Sequence, residues 1–167
     1  MGLVNVAGRT NRILAYAFRR VLYTAAQMSR VALVLNPHSR KNRRRDRTAR
    51  LRELLGARGE VHVTRAVEEL APILERVLGD DLACLICDGG DGALHCALNA
   101  ALPIIERRGA SLPIVLPTNG GTIDFVARKA RVHGHAEALV ARLTRALDRG
   151  PLEVTTVDSL ELRGVHV

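Results

Sequence analysis

The sequence predicts an α/β fold in which a parallel sheet is covered by helices on both faces. Three observations carry that expectation. From residue 31 onward, short aliphatic runs alternate with segments whose apolar residues recur at helical spacing. One run, Leu82 to Cys87, is apolar without interruption, as in a strand buried on both faces. The chain has 167 residues, 47% of them hydrophobic and 25% charged, a globular composition sufficient for one core and too short for two domains of ordinary size.

In chain order, residues 9 to 25 place Ile13, Leu14, Ala17, Phe18, Val21 and Leu22 on one side of a helical wheel, with Arg9, Arg12, Arg19 and Arg20 on the other. Residues 1–29 are therefore expected to form a basic amphipathic helix or extension that lies on an anionic membrane or packs on the domain. Val31 to Asn36 reads as the first strand, and Arg43 to Leu55 as a basic helix ending at Gly56. Glu60 to Thr64 alternates like a strand. Val67 to Leu78 has helical spacing, with Pro72 early in it. After the buried strand, Leu94, Ala97, Leu98, Ala101, Leu102 and Ile105 share one helical stripe. Pro113 to Leu116 is the next strand, and Ala136, Leu139, Val140, Leu143 and Leu147 mark a final helix closed by Gly150-Pro151. Five βα steps are expected, over residues 30–150. Leu152 to Val157 and Leu160 to Val167 read as two further strands, so residues 151–167 are expected to begin a β-rich region that is cut off there.

No stretch approaches the roughly eighteen apolar residues of a membrane-spanning helix, and no secretion signal opens the chain, so a cytoplasmic protein is expected. The net charge of +8 is unevenly placed: residues 1–52 hold thirteen basic side chains against Asp46 alone, while residues 53–167 hold twelve basic and sixteen acidic ones. Such a basic end suits phosphate or an anionic membrane as partner. Nucleic acid is a poorer match, because Phe125 is the sole aromatic after Tyr23 and base-stacking platforms need several. Cys84 and Cys87 form a CxxC, with Cys96 close by. Strand geometry sends the first two to opposite faces, and a zinc site would need four ligands, so they read as buried core thiols.

In open parallel sheets ligands lie beyond the carboxyl ends of the strands, and three loops stand out there. Asp88-Gly89-Gly90-Asp91-Gly92 follows the buried strand and opens a helix; its glycines permit positive φ and close approach, and the helix amides offer an anion site. Asn36-Pro37-His38-Ser39-Arg40-Lys41 follows the first strand with an amide, a hydroxyl and two cations. Pro117 to Phe125 follows the fourth strand and includes Gly120, Gly121, Thr122 and Asp124. Neither GxxxxGK[ST] nor GxGxxG is present.

The order NPxSxK, then GGDG after an apolar strand, then a Pro-containing glycine-threonine loop resembles the catalytic domain of the diacylglycerol kinase and lipid kinase family over about residues 30 to 160. GGDG is shared with NAD kinases. The resemblance implies a Rossmann-like nucleotide domain followed by a β-rich second domain, with ATP and Mg²⁺ as cofactors and a diacylglycerol-like lipid as acceptor. On that pattern Asn36, Pro37, Ser39, Arg40, Lys41, Thr64, Gly89, Gly90, Gly92, Ala93, Gly121 and Thr122 line the nucleotide site. Asp91 is the catalytic candidate, orienting the acceptor, taking its proton or holding Mg²⁺. His95 and Asp124 lie beside them. The sequence departs from the pattern at Ala93, where threonine is usual, at Cys96, where glutamate is usual, and at Asp124, where asparagine is expected. A catalytically silent nucleotide- or membrane-binding module and an NAD kinase-like activity are the competing readings.

Overall fold

The computed structural model describes residues 30–149, with Leu152, Val154, 161–162 and 165–166 beyond them. The expected N-terminal helix and most of the 152–157 strand lie outside the described residues.

Four strands form one sheet: β1 (Arg30–Leu35), β2 (Gly59–Val63), β3 (Leu82–Asp88) and β4 (Ile114–Pro117), in the order β2-β1-β3-β4. Every pairing is parallel. The five steps read from the sequence are thus four among the described residues. Between them run α1 (Thr48–Leu55), α2 (Leu70–Val77) and α3 (Asp91–Arg108), and α4 (Phe125–Lys129) and α5 (Ala136–Arg149) follow β4.

Two apolar layers result. Val31, Leu33, Leu35, Cys84 and Ile86 face Leu51 and Leu55 of α1 and Ala136, Val140 and Leu143 of α5. Ala32, Val34, Leu85 and Cys87 face Leu70, Leu74 and Val77 of α2 and Leu94, Ala97 and Ala101 of α3. A register shift at the start of β3, with Arg30 opposite Leu82 and Val31 opposite Cys84, skips Ala83. Cys84 and Cys87, three positions apart on the regular part of β3, enter different layers, both buried. Burial keeps both thiols protonated, raising Cys87 to about 12 and Cys84 further still.

Local chemistry sets several boundaries. The basic helix is shorter than its periodicity suggested: a 3-10 turn at Asn42–Arg44 and extended Arg45 precede α1. The turn tethers Asn42 at the sheet's end and so breaks the helix. Pro72 is tolerated because it stands in the first turn of α2, where its missing N–H costs nothing. Gly109, at φ 61°, ends α3, and the Ala110 N–H donates to the Ile105 carbonyl, a Schellman closure that needs a left-handed residue. The short α4 carries no sequence periodicity and was not expected. Leu160 to Val167 is not one strand: β5 (Glu161–Leu162) and β6 (Val165–His166) pair antiparallel.

Strand order fixes where a ligand belongs. The chain runs from β1 outward to β2, then crosses back to place β3 on the other side of β1. The loops after β1 and β3 therefore leave toward opposite faces, opening the crevice of a topological switch point between Asn36 and Asp88.

Candidate functional site

All four strand ends are stitched together beyond the regular sheet. The Thr64 N–H donates to the Leu35 carbonyl at 2.8 Å, Asn36 N–H to Asp88 at 2.9 Å, Thr118 N–H to Cys87 at 3.0 Å, Gly120 N–H to Gly89 at 2.8 Å and Lys41 N–H to Gly120 at 3.2 Å. The Asn36 side-chain oxygen accepts the His38 N–H at 2.8 Å, a local turn that swings the loop back over the sheet. The Asn-Pro loop and both glycine loops are thereby brought into one cluster, with Asn36, Ser39, Lys41, Gly89, Gly90 and Gly121 at its centre.

The glycines are required there, for a reason other than expected. None of Gly89, Gly90, Gly92, Gly120 or Gly121 has positive φ. Instead the two loops press backbone on backbone. A Cβ at Gly120 would stand 2.5 Å from the Gly89 carbonyl oxygen, one at Gly121 2.5 Å from the Gly90 Cα, and one at Gly90 2.8 Å from the Gly121 Cα. A Cβ at Gly89 would meet that of Ala93 at 2.3 Å. Gly92 is the exception, since a Cβ there meets nothing within 4 Å. It stands exposed in the first turn of α3, where the leading amides lack intrahelical acceptors while those of Ala93 and Leu94 donate to the Gly90 carbonyl.

Asp91 and Asp124 tie the loops together. The Asp91 carboxylate accepts the Phe125 N–H at 2.9 Å and the Val126 N–H at 3.0 Å, one on each oxygen, holding the first turn of α4 against α3. Buried Asp124 accepts the Gly121 N–H at 2.7 Å and pairs with the Lys41 ammonium at 3.3 Å. Its backbone is left-handed, φ 52°, a strained state for a non-glycine residue that these two contacts hold in place. Lys41 Nζ also donates to the Asn119 carbonyl at 2.5 Å. The cation expected at a phosphate thus bridges the first and third loops.

Behind the glycine loops lies a polar network that the sequence reading passed over. Asp88, fully buried, accepts the Thr118 hydroxyl at 2.6 Å and Arg47 Nη2 at 3.3 Å. Arg47, also buried, reaches Glu137 of α5 at 3.2 Å and the Asn42 side-chain oxygen. The Asn42 amide donates to the Asn36 carbonyl at 2.9 Å. Burial pushes the Asp88 carboxyl above the ordinary carboxylate range, with Glu137 adding to it and the Thr118 and Arg47 contacts opposing. Asp88 had one legible signal, a carboxylate closing a fully apolar run. Arg47 had none, being one arginine among many.

The other expected residues are dispersed around this cluster. Pro37 is half-buried, while Arg40 and Thr122 are exposed on the rim. Thr64 is buried, its hydroxyl donating to the Leu35 carbonyl at 3.2 Å. His95 stands one turn beyond Asp91 on α3, its ring within 3.2 Å of the Asn99 amide. The Ser39 hydroxyl is buried and has no hydrogen-bond partner among the described residues. No cluster of three or more His, Cys, Asp or Glu side chains that could hold a metal occurs among the described residues. A hollow of about 370 Å³ opens at the far end of the sheet, lined by Leu78, Leu82, Ile105, Arg108 and Pro113. The Arg108 guanidinium there is occupied by the Leu78 carbonyl and Glu75.

Paired glycine loops at a switch point beside a helix N-terminus are the arrangement on which α/β domains receive phosphate-bearing ligands. The family model of the diacylglycerol kinase catalytic domain matches residues 30–156, and the chain belongs to that family. It is thus a kinase-type domain of the lipid-kinase kind. No curated protein matches the sequence. No helix among the described residues is long and apolar enough to cross a membrane.

Proposed function

We propose that residues 30–150 bind ATP with Mg²⁺ over the strand-end loops and transfer its γ-phosphoryl group to the hydroxyl of a diacylglycerol-like lipid in the cytoplasm. In this reading residues 1–29 are a basic extension, and 151–167 begin a β-rich domain that forms the other wall of the lipid site. The observation that carries it is Gly92, a glycine the fold does not require, placed where a phosphate would approach the α3 amides. The Ser39 hydroxyl, buried without a hydrogen-bond partner among the described residues, is a further donor on the loop after β1.

Asp91 uses one lone pair on each oxygen for the α4 amides, which leaves acceptor capacity for a hydroxyl or a cation. In the transfer the acceptor oxygen bonds to the γ-phosphorus, the bond to the β–γ bridging oxygen breaks, ADP departs, and the hydroxyl proton passes to the Asp91 carboxylate. Mg²⁺ would be held by phosphate oxygens and water, with Asp91 as its protein ligand in the alternative in which this carboxylate does not take the proton, and would supply charge neutralisation at the phosphates. Lys41 would balance the remaining phosphate charge by exchanging its contact with the Asn119 carbonyl.

Saturating Mg-ATP, at about 100 times its Kd, should stabilise the chain by about 2.7 kcal/mol, raising the Tm by roughly 5–10 °C. Asp91→Ala should abolish phosphorylation of diacylglycerol in mixed micelles, and loss of the two amide contacts should cost about 1–2 kcal/mol of stability. An unmoved Tm with Mg-ATP removes the nucleotide reading. Phosphorylation of NAD in place of lipid reassigns the acceptor. A second reading, a silent binding module, draws on Cys96, which packs against the α2–α3 core where the resemblance calls for a glutamate. Nucleotide binding without turnover would select it.

A further inference from the structure

The hollow at the amino end of the sheet is the open end of the α2–α3 layer. Leu78, Leu82 and Ile105 of that layer line it, with half-buried Leu112 and Pro113 and exposed Ala110, around a volume of about 370 Å³. Cavities that take a ligand run from roughly 300 to 1,000 Å³, so this one has room for a few large side chains and not for a folded partner. Both α2 and α3 end there, and the negative carbonyl ends of the helices draw cations. Arg30 Nη2 donates to the Val77 carbonyl at 2.6 Å, and Arg108 to the carbonyls of Leu78 at 2.6 Å and Glu75 at 2.8 Å. Asp80, on the lining, is exposed.

The described residues begin at this same place. Arg30 stands in register with Leu82, its N–H donates to the Asp81 carbonyl at 3.3 Å, and its guanidinium meets the Asp81 carboxylate at 3.5 Å. Residues 1–29, which precede it, carry the amphipathic pattern over 9–25 and hold four arginines and no acid. Residues 26–29, fully extended, span at most about 14 Å, so the end of that pattern falls within this reach of Arg30. The crevice between Asn36 and Asp88 lies a strand away, about 20 Å for the six residues of β1.

We propose that residues 9–25 dock on this hollow as a helix, with Phe18, Val21 and Leu22 entering between α2 and α3 and the arginines left at the rim, toward Asp80 and the helix carbonyls. The basic segment is then part of the domain, closing its α2–α3 layer at the amino end, and not a free arm. It is the best occupant because its apolar face needs cover from water, its attachment point is at the mouth, and a short tether gives an effective concentration in the millimolar range. A second copy of the chain fits less well, since a stable dimer buries about 800 Å² per side, more than so small a hollow presents. The docking is independent of the kinase reading.

The test is hydrogen exchange and fluorescence of the full chain, without lipid or nucleotide. An isolated helix of this length is marginal in water, so slowed exchange over 9–25 reports docking; it should be slowed about ten-fold or more. Val21→Ser/Leu22→Ser should abolish that protection and speed exchange at Ser111 and Leu112, on the other side of the contact. The chain has no tryptophan, so Phe18→Trp supplies a single reporter. Its emission should be shifted to the blue, and should return to that of free tryptophan when Ala110→Arg/Ser111→Arg is added, because both positions are exposed and the new cations face a cationic segment. Exchange at free-chain rates throughout 9–25 overturns the proposal. So does blue-shifted emission that Ala110→Arg/Ser111→Arg leaves in place, which puts the segment elsewhere on the domain, or protection that fades on dilution together with a dimer, which makes the occupant a second copy. Where the arginine pair unfolds the domain, Val21→Ser/Leu22→Ser decides, and exchange at Ser111 and Leu112 equal to that of the wild type overturns the docking.

Discussion

The two ends of the sheet are built in opposite ways. At the amino end, charged groups pair at the surface: Arg30 with Asp81 at 3.5 Å, and Arg107 and Arg108 with Glu75, all substantially exposed. At the carboxyl end, Arg47, Asp88, Thr118 and Asn42 are buried together beneath loops of glycine backbone. Exposed pairs stabilise little, since water screens them. Buried ones must offset a large desolvation cost and are costly to break. A fold places such a network where geometry has to be fixed, and here it sits directly under the crevice between β1 and β3.

The largest effect should come from breaking the buried network. Asp88→Leu or Arg47→Met should each destabilise the domain by about 3–5 kcal/mol in urea unfolding, because the first leaves buried Arg47 with Glu137 alone and the second leaves buried Asp88 without a cation. The double variant should cost clearly less than the two losses added together. Asp88 also gives a pH signature. Its raised pKa means the folded state holds the proton more tightly than the unfolded chain. That contribution is full below the ordinary carboxylate pKa of about 4 and is lost as pH rises through the raised value. Relative to Asp88→Asn, the wild type should therefore lose stability across that window, and parallel curves for the two proteins would mean that Asp88 does not titrate there.

The glycines divide next. Gly120→Ala or Gly121→Ala forces a Cβ against backbone at 2.5 Å and should cost about 1–3 kcal/mol. Gly92→Ala faces open space with ordinary φ and should leave stability unchanged or raise it by up to about 1 kcal/mol. The same change should weaken Mg-ATP binding ten-fold or more; undiminished affinity would show that no phosphate comes close to that backbone. The smallest effect belongs to the amino end, where Glu75→Gln should cost under about 1 kcal/mol, and less in high salt.

Much of this could be read from the chain. The strands fell within a residue or two of their expected positions because each is an apolar run bounded by turn residues, and Leu82 to Cys87 is buried throughout as its composition required. The three strand-end loops were legible because glycine, asparagine and proline cluster there. Among the readings that went astray, beside the single strand over Leu160–Val167 and the positive φ of the loop glycines, two show local signals meeting long-range contacts. The helix expected from Arg43 is broken because the Asn42 amide is tethered to the Asn36 carbonyl and, across the sheet end, to that of Asp88 at 3.4 Å. The short α4 depends on Asp91, which is 34 residues away in sequence and caps its first turn.

Periodicity and composition are properties of neighbouring residues, and they were enough to specify a parallel α/β domain, its two apolar layers and the loops on which a ligand would rest. The uses of individual polar groups are not local properties. That Asp91 spends one lone pair on each oxygen on α4, that Lys41 bridges two loops, and that Gly120 and Gly121 are needed for backbone contact and not for positive φ became visible once the strand order brought those loops within a few ångströms of one another. Hydrogen bonding and van der Waals contact act over that distance and no further, so residue type alone could not assign them.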